Sequence, residues 1–440
     1  KDLVKVALNA LAVTGDPVSA TVLEKAADGA GLRGEITGAT GAYLTYLSQL
    51  LRSGNKTLAM AKAEKLLQKA NTTEQVPVKS AALHIISQAK GTASLSDLTK
   101  AMAHENAAYR AVALQLAEGL RNSSSDRAWL GTLEKVSSPA KAQIIRFLGQ
   151  SSDPVVTDRI INLAGSDDKL VRLAAIESSG IHGREKAIPA LMAALSKSDK
   201  DETSLIKNTL LTIPLSSEQT LLSHYRSLPA TSQAAILEVL SERKMTGSAD
   251  LVLSQIKSGD PIVKKAALNA LAGVVTRAKL NAVFSLAGSA GEEDVPAIRK
   301  AMTAATSGIT DTAERTRVVL SGMANMPPGS RAAFFGTLAD IGGTAAFNAV
   351  KTAYSGADAS TGKAIVQAMA SSSWPQAPDM LLTIAKNKTM TDVASAALEG
   401  YIARIERGAI PAQQKVIMLY NAMELADTEI LRKRIIRAAA

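Results

Sequence analysis

The 440-residue sequence contains no cysteine, which excludes disulfides, thiolate metal sites and a cysteine nucleophile. It leaves the compartment open, because bacterial proteins of cytoplasm and periplasm can both dispense with cysteine. Aromatic residues make up only 3% of a chain that is 46% apolar, so the core must be Ala, Leu, Ile and Val on closely packed helices; a large globular enzyme normally carries more rings. No apolar run reaches the roughly 18 residues a membrane span requires. The four histidines, His84, His104, His182 and His224, show neither i, i+4 spacing nor a His-Glu-x-x-His pattern, and a zinc site needs several converging ligands. A Gly-x-Ser-x-Gly elbow is also missing, so no Ser-His-Asp triad is signalled. Carboxylate pairs such as Glu292 with Glu293, or Asp199 with Asp201, lie in polar, turn-like stretches that read as solvated loop. The expectation is no catalytic residue, no metal and no cofactor.

The charge of +10, from 50 basic and 40 acidic residues, is spread along the chain. It permits an anionic partner without requiring one.

A single core usually stops growing at about 250–300 residues, so this chain is several domains or a repeat array. Self-similarity decides for the array. Val78-Lys79-Ser80-Ala81-Ala82-Leu83, Tyr109-Arg110-Ala111-Val112-Ala113-Leu114, Ala140-Lys141-Ala142-Gln143-Ile144-Ile145 and Val171-Arg172-Leu173-Ala174-Ala175-Ile176 carry one theme. Their cations Lys79, Arg110, Lys141 and Arg172 stand 31 positions apart. Val263-Lys264-Lys265-Ala266-Ala267-Leu268 repeats it, and Val4-Lys5-Val6-Ala7-Leu8-Asn9-Ala10-Leu11-Ala12 is nearly a copy of 263–272. Apolar positions recur at i, i+3, i+4 and i+7, as in Val263, Ala266, Ala267 and Ala270, giving helices with one buried stripe. Asp16-Pro17, Asp153-Pro154 and Asp260-Pro261 each set an N-cap acid before a proline at the first helical position. Gly180, Gly183, Gly273 and Gly342 stand where helices are expected to stop.

The pattern predicts a lone helix over 2–13 and then about thirteen helix pairs, at 16–53, 56–90, 92–120, 123–150, 154–180, 183–214, 216–243, 246–275, 276–308, 310–341, 343–371, 374–406 and 411–438. It reads as one array over 1–440, with a truncated first repeat at 1–15, more regular repeats at 16–308 and more divergent ones at 309–440. Leu3, Val4, Ala7, Leu8 and Leu11 form the stripe of a second helix whose first helix is absent, so the expectation is a longer parent polypeptide.

Asp168-Lys169-Leu170-Val171-Arg172-Leu173-Ala174-Ala175 followed by Gly180, and Asp260-Pro261-Ile262-Val263-Lys264-Lys265-Ala266-Ala267, resemble the second helix of a HEAT repeat. The short period is similar to the compact bacterial variety, including the HEAT-like repeats of phycobilisome lyases. Segments at about 203–245 and beyond 310 depart from that pattern. The resemblance implies an all-α, right-handed α-α superhelix with concave and convex faces. A looser likeness, resting on a Lys-rich, cysteine-free, Ala-Leu texture, is to HEAT arrays in envelope proteins of Bacteroidetes that also carry a 3-keto-disaccharide hydrolase-type domain. It implies a periplasmic or cell-envelope location, with the cytoplasm as the alternative, and a non-catalytic role within a larger sugar-processing protein.

Two motifs dissolve on inspection. Gly29-Ala30-Gly31-Leu32-Arg33-Gly34 matches a dinucleotide fingerprint, but the segment before it is helical by pattern and no βαβ unit surrounds it. Gly356 to Lys363 has one residue too many for a P-loop, and Ala364 replaces the required hydroxyl residue. Both read as turns between helices.

The periodic cations, Lys79, Arg110, Lys141, Arg172 and Lys264, suit either a phosphate-binding row or a structural ladder. The ladder is favoured: the HEAT resemblance implies that each cation meets acids and carbonyls of the adjoining turn, and Asp168 to Arg172 and Asp260 to Lys264 stand at i, i+4. Bases would stack on interleaved aromatics, and only Tyr109-Arg110 offers such a pair on a second helix; Trp129 and Trp374 fall near first helices. Tyr43 and Tyr46 share a helix face and suit either core or contact; with Tyr109 and Arg146 they make the candidate contact surface. The cluster Arg432, Lys433, Arg434 and Arg437 suits a helix C-terminus. The favoured function is a non-catalytic scaffold whose concave, second-helix surface holds a protein or another domain of its own chain. The alternatives are a nucleic-acid-binding array resembling the HEAT-like DNA glycosylases, and a chromophore lyase or chaperone.

Overall fold

A computed structural model describes residues 2–182, 184–214, 218–387 and 389–439. Among these residues the regular elements are α-helices and short 3-10 turns, with no strand. They form two compact units, Lys1–Thr220 and Leu221–Ala440.

In the first unit, α1 (Asp2–Thr14) precedes pairs of a first and a second helix. These are α2 (Ala20–Gly29) with α3 (Ala39–Arg52), α4 (Lys56–Lys69) with α5 (Val76–Lys90), and α6 (Leu95–Ala101) with α7 (Ala107–Glu118). Then come α8 (Ser123–Leu130) with α9 (Ser138–Leu148), α10 (Pro154–Leu163) with α11 (Lys169–His182), and α12 (Ile188–Leu195) with α13 (Lys200–Thr212). Each second helix packs on its own first helix and on the neighbouring second helices of this unit, and α1 packs on α3 in the same manner. The expected stripe of α1 is split: Leu8 is buried, while Leu3 and Val4 are exposed.

The period explains the stacking. Ala82, Ala113, Ile144, Ala175 and Ile206 follow one another at 31-residue steps, and each is 0% exposed. Alanine at three of the five lets neighbouring helices approach closely, which is why so few rings are needed. Enclosing each isoleucine contributes about 1.5–3 kcal/mol.

The second unit follows α14 (Gln219–Tyr225) with α15 (Ala230–Glu242), α16 (Ala249–Gln255) with α17 (Pro261–Val274), and α18 (Leu280–Gly288) with α19 (Val295–Thr306). Next, α20 (Thr312–Ala324) pairs with a broken second helix, α21 (Pro328–Arg331) and α22 (Phe335–Ile341). The pairs α23 (Gly343–Tyr354) with α24 (Ala359–Ser371), α25 (Ala377–Lys386) with α26 (Thr391–Arg407), and α27 (Ala412–Met423) with α28 (Glu429–Ala439) complete it. Second helices again stack, α15 on α17, α17 on α19, and α22 on α24.

The predicted caps are present: Asp16, Asp153 and Asp260 accept the amides of Val18, Val155 and Ile262. Gly342, at φ +75°, does separate two helices, whereas Gly183 lies outside the described residues. Gly180 and Gly273 correct the expectation, since both lie inside helices. A side chain on Gly180 would come within 2.8 Å of Thr209 Cγ2, and one on Gly273 within 2.8 Å of the Ser241 Cα. They are glycine because the neighbouring second helix crosses there. Gly31 and Leu32 take positive φ in the loop after α2, and the 356–363 segment holds the Asp358 cap of α24.

Candidate functional site

α7, α11 and α17 begin at side-chain caps, Asn106, Asp168 and Asp260, and the periodic cation of each lies one turn in, close to the following repeat. Arg172 donates through Nε and Nη2 to Glu202 Oε1, at 3.2 and 2.7 Å, and through Nη1 to the carbonyls of Ser166 and Asp167. Asp168 therefore does not pair with Arg172 as its spacing suggested. Its carboxylate accepts the amides of Leu170 and Val171 as the helix cap. The Ser138 hydroxyl, those amides and the charge of Lys141 hold it below the usual carboxylate range, against the opposing effect of burial.

The same correction applies at Lys264, whose ammonium meets Asp294 at 2.9 Å, while Asp260 caps α17. Hydrogen bonding to Asp294 pushes the Lys264 ammonium above its usual range. Arg110 is buried, bonding Gln143 and the carbonyls of His104 and Glu105. Lys79 lies 5.7 Å from the centroid of the Tyr109 ring, a cation-π contact. The ladder thus runs from one repeat to the next. An i, i+4 pairing within the helix loses because the cap amides already hold the aspartate and the guanidinium reaches across the turn.

The candidate contact surface also changes. Tyr43, Tyr46 and Tyr109 are 2%, 0% and 3% exposed. They belong to the core, where burial pushes the Tyr109 phenol up to about 12. Arg146 is exposed and pairs with Glu177 at 2.8 Å. Trp129 and Trp374 are buried. In the C-terminal cluster Arg434 holds Glu406, Lys433 holds Glu429 and Arg432 bonds the Ala426 carbonyl.

What α5, α7, α9, α11 and α13 present to solvent is a different set of rows in the same 31-residue register. Pro77, Ala108, Pro139, Leu170 and Asp201 form one; His84, Gln115, Arg146, Glu177 and Asn208 the next; Gln88, Gly119, Gln150, Ile181 and Thr212 the third. All fifteen are exposed. The three rows lie at i, i+7 and i+11, one stripe of a helix. Their charged members are one cation, Arg146, and two carboxylates, Glu177 and Asp201. These three rows therefore carry almost none of the chain's net +10, although Lys169 and Lys200 are exposed at the starts of α11 and α13. Their signal was in the sequence, five and nine positions after each periodic cation, but exposure on that stripe is set by the neighbouring helices.

Among the described residues no group of three or more His, Asp or Glu is placed to hold a metal, and no helix is long and apolar enough to cross a membrane.

Residues 128–206, from α8 into α13, match the family model for HEAT repeats. The repeats are thus HEAT-type over that stretch. No curated protein matches the sequence. Among solved structures, Kap121p bound to Nup53p is similar at 11% identity over 99% of this chain, with a TM-score of 0.43. The chain spans 49% of the length of that protein. Importin beta is similar at 13% identity, with 96% of this chain and 61% of that chain covered and a TM-score of 0.31. A tubulin-recruiting TOG domain array is similar at 13% identity, with 94% and 99% covered and a TM-score of 0.31.

Proposed function

We propose that the chain is a non-catalytic helical-repeat scaffold that holds a protein, or another domain of its own polypeptide, on the exposed stripe of second helices α5 to α13. The observation that carries this reading is the register of that stripe. Five consecutive repeats set side chains of one position next to each other, mixing amides (Gln88, Gln115, Gln150, Asn208) with exposed apolar groups (Pro139, Leu170, Ile181). A polypeptide partner is matched by amides and apolar groups, whereas a nucleic acid is gripped by cations on phosphates. Here the periodic cations are engaged by neighbouring repeats, as Arg110 is by Gln143 and Arg172 by Glu202. Placement in the cell envelope belongs to the same reading, and fractionation of the source cells tests it.

Affinity purification of the tagged chain from those cells tests the surface. A defined protein should accompany the unmodified chain, be lost with Leu170→Asp, Glu177→Lys and Ile181→Asp combined, and be retained with Val155→Asp and Asn162→Asp on α10. Loss through the α10 pair instead, or recovery of nuclease-sensitive nucleic acid without protein, contradicts the reading.

A further inference from the structure

The first-helix layer of the second unit holds a groove of about 730 Å³ between α18 and α20. Gly322 makes it possible: a Cβ there would overlap the Phe284 ring, so the absent side chain lets the ring lie against α20 as the groove floor. Polar walls rise on both sides, Asn281 and Ser285 on α18 facing Arg317 and Ser321 on α20 and Asn325 at its C-cap. Positions 317, 321 and 325 follow at i, i+4 and i+8, so that wall is about 12 Å long at 1.5 Å per residue. Such a length takes three to four extended residues at about 3.3 Å each.

Among the described residues, the side chains of Asn281, Ser285, Arg317 and Ser321 form no hydrogen bond or ion pair within the chain. Asn325 uses one donor, on the Ser321 carbonyl, and keeps its amide oxygen free. Arg317 is the one charged group lining the groove. The carboxylate one turn before it, Glu314, is held by Arg277.

We propose that this groove binds an extended, acidic peptide segment. An aspartate or glutamate side chain sits on the Arg317 guanidinium, whose planar fork matches a carboxylate. The peptide N–H and C=O groups meet the amides of Asn281 and Asn325, which offer both a donor and an acceptor. An apolar side chain two residues along, on the same side of an extended segment, rests on Phe284. The absence of an in-chain anion for Arg317 selects an acidic ligand, and the facing amides select a peptide over a simple anion. Because the groove belongs to the first-helix layer, it stands or falls separately from the second-helix stripe.

The test is phage display of a random dodecapeptide library on the full chain, followed by fluorescence polarisation with the selected peptides. Enriched peptides should carry an acid two positions from an apolar residue. They should bind Arg317→Glu and Asn281→Ala at least tenfold more weakly, and Glu177→Lys unchanged. Arg317 is exposed, so melting of Arg317→Glu should match the parent chain. Failure to enrich any peptide, enrichment of peptides without an acid, or equal binding by Arg317→Glu overturns the proposal.

Discussion

At the scale of single residues, the charged side chains that hold this protein together act between repeats, and that is what the sequence concealed. The 31-residue spacing made Arg172 legible as a structural cation. Its acceptor was not legible, because Glu202 is 30 residues away and belongs to the next cap. With Glu202 buried, Arg172→Ala strands a carboxylate, and the expected loss is about 2–3 kcal/mol in denaturant unfolding. Arg172→Ala with Glu202→Gln should recover part of it, whereas an i, i+4 pair with Asp168 would give no such recovery. A second network was wholly invisible in sequence: Glu24 of α2 meets Lys62 and Lys65 of α4 at 2.6 Å each, and Lys69 at 3.4 Å. Burial would raise the Glu24 carboxyl, but the lysines outweigh it and hold the group at about 2. A carboxyl depressed on folding contributes stability above its unfolded value of 4.5, lost as pH falls through about 2. Glu24→Gln should therefore cost roughly 2 kcal/mol at neutral pH, with the gap to the parent closing between about pH 4.5 and 2 in a pH series of denaturation midpoints.

At the scale of elements, helix pairs were legible almost to the residue, because caps such as Asp153 and Asp260 and the apolar stripes fix them locally. What local reasoning misjudged was glycine. Gly180 and Gly273 resemble helix stops in sequence, yet both permit close crossing of two second helices, a property of the neighbour. Replacing an interior helix glycine by alanine normally gains about 1 kcal/mol. At Gly273 the added methyl meets backbone of Ser241, which cannot move aside cheaply, and overpacking costs about 1–3 kcal/mol. Gly273→Ala should accordingly destabilise by up to about 2 kcal/mol, while Gly259→Ala, with nothing within 4 Å, should not. A stabilised Gly273→Ala in thermal unfolding would show that α15 and α17 do not cross so closely. Tyr43 and Tyr46 illustrate the same limit, since their shared face suited contact or core until α3 was seen enclosed by its neighbours.

At the scale of the whole molecule, one period orders the second helices α5, α7, α9, α11 and α13 of the first unit into three kinds of row. Ala82 to Ile206 pack, Lys79 to Arg172 tie each repeat to the next, and the stripe through His84, Gln115, Arg146, Glu177 and Asn208 is left to solvent. That division accounts for a basic chain whose periodic cations are not offered to a ligand. The proposed interaction surface lies on that stripe, where Arg146 and Glu177 pair with each other. The most direct measurement is site-specific photo-crosslinking in the source cells. A photoreactive residue is placed in turn at Leu170, Ile181 and Asn208 on the second helices, and at Val155, Asn162 and Ala193 on the first. A single, defined protein adduct from the second-helix positions and none from the first-helix positions is the predicted result. Adducts confined to the first-helix positions, or none from either set, would contradict the account.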